Sequence, residues 1–315
     1  MVQLHEIEAA AKRIAGRVHR TPTVSATTLG RLTGTELFLK AELFQKTGSF
    51  KVRGVLNTVL TLPREALDRG LITLSAGNHG AALAWAAADA GTRATVVMPA
   101  TAVKSKVDAI RGYGGEVVQT SGNLLEECTR IRDDRGLTLI HPFDDPSVIA
   151  GQGTAGLEIL EDVANPDVVL VPIGGGGLIS GIAAAIKQCR PSTLVIGVEP
   201  TGADVMSRSL AAGKPARMER NATIADGLAA PFAGVQTLDH VQRYVDQLVL
   251  VEDEWILKAL GMLIQRAKLA PEPAGAAAFA ALLSGAYRPP EGSRVVCVVS
   301  GGNADPAVLQ RALQS

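Results

Sequence analysis

The stretch "DVVLVPIGGGGLISGIAAAIKQC", residues 167–189, decides the fold. Its first part is apolar at nearly every position, without alternation, as in a strand buried on both faces. Four glycines follow, then an alanine-rich segment with helical composition. This strand, glycine turn and helix recur along the chain. Upstream, "GLITLSAG" (70–77) is strand and turn, followed by a helix from about Asn78 to Ala90. "ATVVMPA" (94–100), "GGEVVQT" (114–120) and "LTLIHPF" (137–143) are three further strands. The pattern restarts after about Asp145 with helix "AGLEILEDV" (155–163). Downstream come strand "TLVIGVEP" (193–200), strand "QLVLV" (247–251) and helix "EDEWILKALGMLIQRAKL" (252–269). Helix "AGAAAFAALLSG" (274–285) and strand "RVVCVVS" (294–300) complete the series. Such alternation predicts an α/β protein with mainly parallel, open, twisted sheets flanked by helices, in two units that break near residue 145.

The 315 residues exceed what one modest core needs. The chain is 47% hydrophobic and 20% charged, with net charge zero and no basic block, which argues against nucleic acid or an anionic membrane as partner. The N-terminal "MVQLHEIEAAAKRIAGRVHR" reads as an amphipathic helix, not a signal peptide, and no run is apolar enough to span a membrane. Cys128, Cys189 and Cys297 have no metal or redox spacing and are expected as buried thiols in a cytoplasmic protein.

Ligands of open α/β sheets bind beyond the carboxyl ends of strands. Three glycine-rich segments lie there: "SAGNHG" (75–80), the run Gly174, Gly175, Gly176 and Gly177, and "SGGN" (300–303). Four glycines leave a row of backbone N–H groups at a helix N-terminus, a phosphate site by geometry and dipole. The plain alternative is a tight turn with close helix–sheet packing. Dinucleotide binding, hence an oxidoreductase, is a third reading, with Glu199 placed to meet a ribose, but no G-x-G-x-x-G fits. In "FQKTGSFKVRG" (44–54), Lys51 follows a small-residue turn, a setting that suits an inward, partly desolvated amine able to form a Schiff base. A phosphate cup plus an inward lysine suggests pyridoxal phosphate.

"QKTGSFKVRG", "SAGNHG", "GQGTAGLE", "PIGGGGLISG", "TIADGLA", "EPAGA" and "SGGN" occur in this order. Together they resemble the serine/threonine dehydratases of the tryptophan-synthase-β-like pyridoxal-phosphate enzymes, which include serine racemase. The resemblance runs from "HRTP" (19–22) to Asn303. It implies a large cofactor-binding domain of residues 1–67 and 145–315 and a small substrate-carboxylate-binding domain of residues 68–144, with the cofactor in the cleft between them. It implies that Lys51 is the Schiff-base lysine and the base for the α-proton, and that Phe50 lies on the pyridine ring. Asn78 would bond the cofactor's phenolic oxygen, the four glycines its phosphate, and Ser300 its ring nitrogen. Ser75, Asn78 and His79 would receive the substrate carboxylate. The residues themselves say nothing of assembly; the resemblance implies a homodimer.

The implied reaction converts L-threonine to 2-oxobutanoate and L-serine to pyruvate, each with loss of ammonia. Serine racemase and hydroxyaspartate dehydratase chemistry are the alternatives on the same fold. The racemases carry serine at the second place of "SSGNH"; Ala76 stands there in this chain and cannot carry a proton, which favours elimination. Related enzymes also bind a divalent cation, Mg or Ca. The matching positions are Glu199 and the carbonyl of Ala203, with Val205 where those enzymes place an aspartate; alternatively Glu199 only caps a strand and pairs with a basic side chain. The sequence ends about twelve residues after "SGGN", so the resemblance implies the short catabolic type without regulatory domains.

Overall fold

The computed structural model describes residues 1–314. Ten strands form two sheets: β1 (Thr23–Ser25), β2 (Glu36–Ala41), β3 (Leu71–Leu74), β4 (Ala94–Pro99), β5 (Glu116–Thr120), β6 (Thr138–Leu139), β7 (Val168–Pro172), β8 (Leu194–Pro200), β9 (Gln247–Val251) and β10 (Arg294–Val299). The larger sheet has the order β1-β2-β10-β7-β8-β9, and the smaller β5-β4-β3-β6. Among the described residues only the β1–β2 pair is antiparallel. The strands of the smaller sheet all lie between Leu71 and Leu139.

The apolar runs have a direct cause. In β7, Val168 and Leu170 join one buried cluster, while Val169 and Val171 join another on the opposite face. Strand β10 divides the same way, Val295, Cys297 and Val299 against Val296 and Val298. The first face is covered by helices Asp253–Met262 and Pro273–Leu283, the second by helix Gly177–Cys189. Helix Pro273–Leu283 is buried along nearly its whole length, and its alanines let it lie close against the sheet.

Several local expectations need correction. Strands β1 and β2 go beyond the expected set, yet β2 pairs with β10 over six positions and carries the N-terminal segment into the larger sheet. The helix expected at 155–163 begins at Pro146, where the Asp145 side chain caps it by accepting from the amides of Ser147 and Val148. Glycines within 151–156 hide that start, because glycine disfavours helix. Strand β6 keeps only two residues; Pro142, with no N–H to give, ends the pairing. The long helix from 252 turns into a π-helical turn at Leu263–Ala267. Cys128 and Cys297 are buried thiols, but Cys189, at a helix end, is exposed. Among the described residues no helix is long and apolar enough to cross a membrane.

Candidate active site

A pocket collects residues just past the carboxyl ends of β3, β7 and β10. Phe50, Lys51, Ser75, Ala76, Asn78, His79, the glycines 174–177 and Ser300 all line it. The three glycine-rich segments and the lysine turn therefore meet in one cavity.

The lysine turn is stitched to the loop after β10. Phe50 N donates to Ser300 O at 3.1 Å, Gly302 N donates to Gly48 O at 2.8 Å, and Ser49 bridges Gly301. Gly48 has φ +74°, and a side chain there would run into the Asn303 amide, so glycine is required on two counts. This turn opens helix Lys51–Val59 with Lys51 at its first position. Lys51 Nζ donates to the carbonyl of Pro142 at 2.8 Å and sits 5.2 Å from the Phe50 ring centroid. Burial pushes the Lys51 amine down to about 8, with Glu272 partly opposing the shift.

The glycine run serves two purposes. A Cβ on Gly175 would strike the Phe143 ring, one on Gly174 would press the Leu228 backbone, and Gly176 adopts φ +92°. Close packing thus accounts for much of the run, in line with the tight-turn alternative. The amides of Gly174, Gly175 and Gly176 nevertheless find no acceptor among the described residues, and they stand at the N-terminus of helix Gly177–Cys189. That row of donors fits a phosphate.

The loop 75–79 precedes helix Asn78–Asp89. Ser75 Oγ accepts from the amides of Gly77 and Gly80, each at 3.0 Å, which leaves its own hydrogen available. The amides of Asn78 and His79 occupy the first helical positions and have no acceptor within the helix. His79 is buried, and burial first, then the Lys51 charge, holds it neutral. With Nε2 directed at Ile140 O, 3.2 Å away, the proton lies there and Nδ1 is a bare acceptor. A carboxylate at this loop would meet the Ser75 hydroxyl and the backbone amides, not the His79 ring. Of His79, the backbone amide at the helix N-terminus, and not the ring, is the group free to donate there. Ser300, 3% exposed, lines the same pocket.

Three pocket features lie outside the expected set: the Pro142 carbonyl, Glu272 and Lys106. Glu272 ends the turn before helix Pro273–Leu283, accepts from Asn78 Nδ2 at 2.6 Å, and has its Oε2 buried without a partner. Burial raises its carboxyl to about 7. Lys106 reaches over Gly77 and pairs with Asp226.

Glu199 lies apart from this pocket, and its carboxylate accepts from Met206 N at 2.7 Å and from Ser207 N and Oγ at 2.8 and 2.6 Å. It caps helix Val205–Ala212 rather than pairing with a basic side chain. Ala203 is buried beside it. Among the described residues no group of three or more His, Cys, Asp or Glu is placed to hold a metal ion.

The model of the family described as pyridoxal-phosphate dependent enzyme matches residues 14–301. An L-threonine ammonia-lyase of Thermotoga maritima is 42% identical over 315 residues, spanning 99% of this chain and 78% of that protein. A serine racemase of Oryza sativa subsp. indica is 41% identical, spanning 98% of this chain and 93% of that one. Among solved structures, maize serine racemase superposes with a TM-score of 0.94 at 40% identity, covering 99% and 97% of the two chains. A threonine deaminase from T.th. gives 0.91 at 43% identity, covering 96% and 99%.

Proposed function

The chain belongs to the family of pyridoxal-phosphate dependent enzymes, and we propose that it is a lyase converting L-threonine to 2-oxobutanoate and L-serine to pyruvate, with release of ammonia. The observation that carries this reading is the placement of Lys51 in one pocket with the glycine amides, Ser300 and the loop 75–79. Pyridoxal phosphate, when bound, supplies the electron sink for charge developing at the substrate Cα. In this reading Lys51 anchors the cofactor and its amine takes the α-proton, the amides of 174–177 hold the phosphate, and Phe50 covers the ring. Ser300 offers a neutral hydroxyl to the ring nitrogen. Ser75 and the amides of Asn78 and His79 hold the substrate carboxylate. Residues 68–144 act as the substrate-carboxylate-binding domain, and residues 1–67 with 145–315 as the cofactor-binding domain. A homodimer in the cytoplasm is part of the same reading.

Two features favour elimination from a monocarboxylic substrate. Ala76 lines the pocket with a methyl group that has no exchangeable proton to give, which favours one-sided proton transfer. Lys106, the pocket's lysine besides Lys51, is already neutralised by Asp226, so it does not await a second carboxylate. Purified protein with pyridoxal phosphate should release 2-oxo acid from L-threonine and L-serine, and from threo-3-hydroxyaspartate at about a tenth of that rate or less, the order expected for an uncompensated charge. Preference for hydroxyaspartate, or formation of D-serine faster than pyruvate, would move the assignment to one of the alternatives.

The depressed Lys51 amine gives a pH dependence. Only the neutral amine attacks a carbonyl, and its fraction grows as pH rises through about 8. Uptake of pyridoxal phosphate by the apo protein, followed by fluorescence, should accelerate between about pH 6 and 8 and level off above. A rate still climbing about tenfold per unit beyond about pH 9 would mean an ordinary exposed lysine.

A further inference from the structure

The Asn78 amide is held at both ends. Its Nδ2 donates to Glu272 Oε1 at 2.6 Å, and its Oδ1 accepts from Asn303 Nδ2 at 2.8 Å. Asn303 Nδ2 also donates to the carbonyl of Thr47 at 2.8 Å. These residues come from four separate places: the lysine turn, the start of helix Asn78–Asp89, the turn before helix Pro273–Leu283, and the loop after β10. A primary amide has nearly the same shape in either orientation, so only its partners decide which end is oxygen. Here the decision is forced from the backbone outward. The Thr47 carbonyl can only accept, so Asn303 must turn its NH2 that way. Both Asn303 hydrogens are then spent, one on Thr47 and one on Asn78. Asn78 must therefore meet Asn303 with its oxygen and Glu272 with its nitrogen. One Nδ2 hydrogen serves Glu272, which leaves the second uncommitted on a residue that lines the pocket.

We propose that Asn303 and Glu272 are positioning residues, which with the Thr47 carbonyl lock Asn78 so that it offers an N–H and not a C=O to the bound cofactor. The inference rests on the function proposed above. It extends that reading to two side chains whose task is orientation. Glu272 Oε1 accepts from Asn78, while the other oxygen, Oε2, makes no hydrogen bond to the amide.

The test uses the full chain, titrated with pyridoxal 5'-phosphate while affinity and the visible absorption of the bound cofactor are recorded. Asn303→Asp keeps the size but replaces the donor with an acceptor. Asn78 then has an acceptor on each side, so its NH2 is divided between Glu272 and the new carboxylate and its oxygen is no longer kept away from the cofactor's acceptor oxygen. Affinity should fall by at least about tenfold, the equivalent of one hydrogen bond lost to an acceptor facing an acceptor. The absorption maximum should shift, and with L-threonine kcat should fall more than KM rises. Glu272→Leu should weaken binding similarly, and Glu272→Gln, which still offers an oxygen to Asn78, should recover most of that loss. Wild-type affinity and spectrum in Asn303→Asp would overturn the proposal, as would a Glu272→Gln no better than Glu272→Leu. If Asn303→Asp fails to fold by thermal melting, the Glu272 pair decides, and if a Glu272 variant fails, Asn303→Asp decides. A wild-type protein that takes up no cofactor would instead sink the function itself, a result read before any variant is made.

Discussion

Replacing Lys51 with alanine should abolish turnover while leaving the fold in place. The side chain makes one hydrogen bond to protein, to the Pro142 carbonyl, and otherwise faces the pocket. Its loss should therefore shift the melting temperature by only a few degrees, as for other changes that remove a single hydrogen bond. The chemical loss is of a different order. A positioned general base contributes about 10²–10⁴-fold, and in the proposed function the same amine anchors the cofactor. Release of 2-oxobutanoate from L-threonine should fall by about 10⁴-fold or more, and the visible absorption of the bound cofactor should change. Small primary amines added to Lys51→Ala should restore part of the activity. A variant with activity within about tenfold of wild type and an unchanged spectrum would show that another group does this work.

The parts of the site that can be read from sequence are those whose chemistry is local. The glycine run follows β7 directly, the loop 75–79 follows β3, and Lys51 opens its own helix, so each motif carries its placement with it. The fold is legible for the same reason, since β7 and β10 are buried on both faces and have apolar runs to show for it. What escapes depends on distant partners. Strand β2 alternates only weakly and owes its place to β10, more than 250 residues later. Glu272 stands in "EPAGA", but its partner Asn78 lies 194 positions away. The His79 ring is spent on Ile140 O, a contact that no spacing reveals. The glycine run is legible as a donor row, but the Phe143 ring packed against Gly175 is not.

The position of Lys51 is itself held by a charge cluster, and breaking it should produce the largest loss of stability. Arg53, two residues along the same helix, is fully buried. Its Nε and Nη2 donate to the two oxygens of Glu42, each at 2.8 Å, and Nη1 and Nη2 donate to Glu158 at 2.7 and 2.8 Å. Glu42 has no exposure at all, and Glu158 also binds the buried Lys40 at 2.7 Å. Replacing such a network entirely with apolar groups can be neutral, but removing one member strands the others. Arg53→Met should therefore destabilise the protein by about 3–5 kcal/mol and lower its melting temperature by about 5–8 °C. Arg53→Lys should recover less than half, because an ammonium cannot make the paired contacts of the guanidinium. The pH dependence gives the decisive sign. In the wild type, burial pushes the Glu42 carboxyl up, but the charge and hydrogen bonds of Arg53 outweigh it and hold the group below its usual range. Its contribution is thus present above the unfolded pKa and is lost as pH falls through the folded one. Without Arg53 the burial effect dominates and the folded carboxyl shifts upward. The folded variant then prefers Glu42 protonated, so its stability should decline as pH rises from about 5 to 8, where the contribution of Glu42 in the wild type is constant. A deficit in Arg53→Met that stays flat across that range, or a melting temperature within about 2 °C of wild type by the scale used above, would show that the cluster is solvated and that helix Lys51–Val59 is held by its apolar face alone.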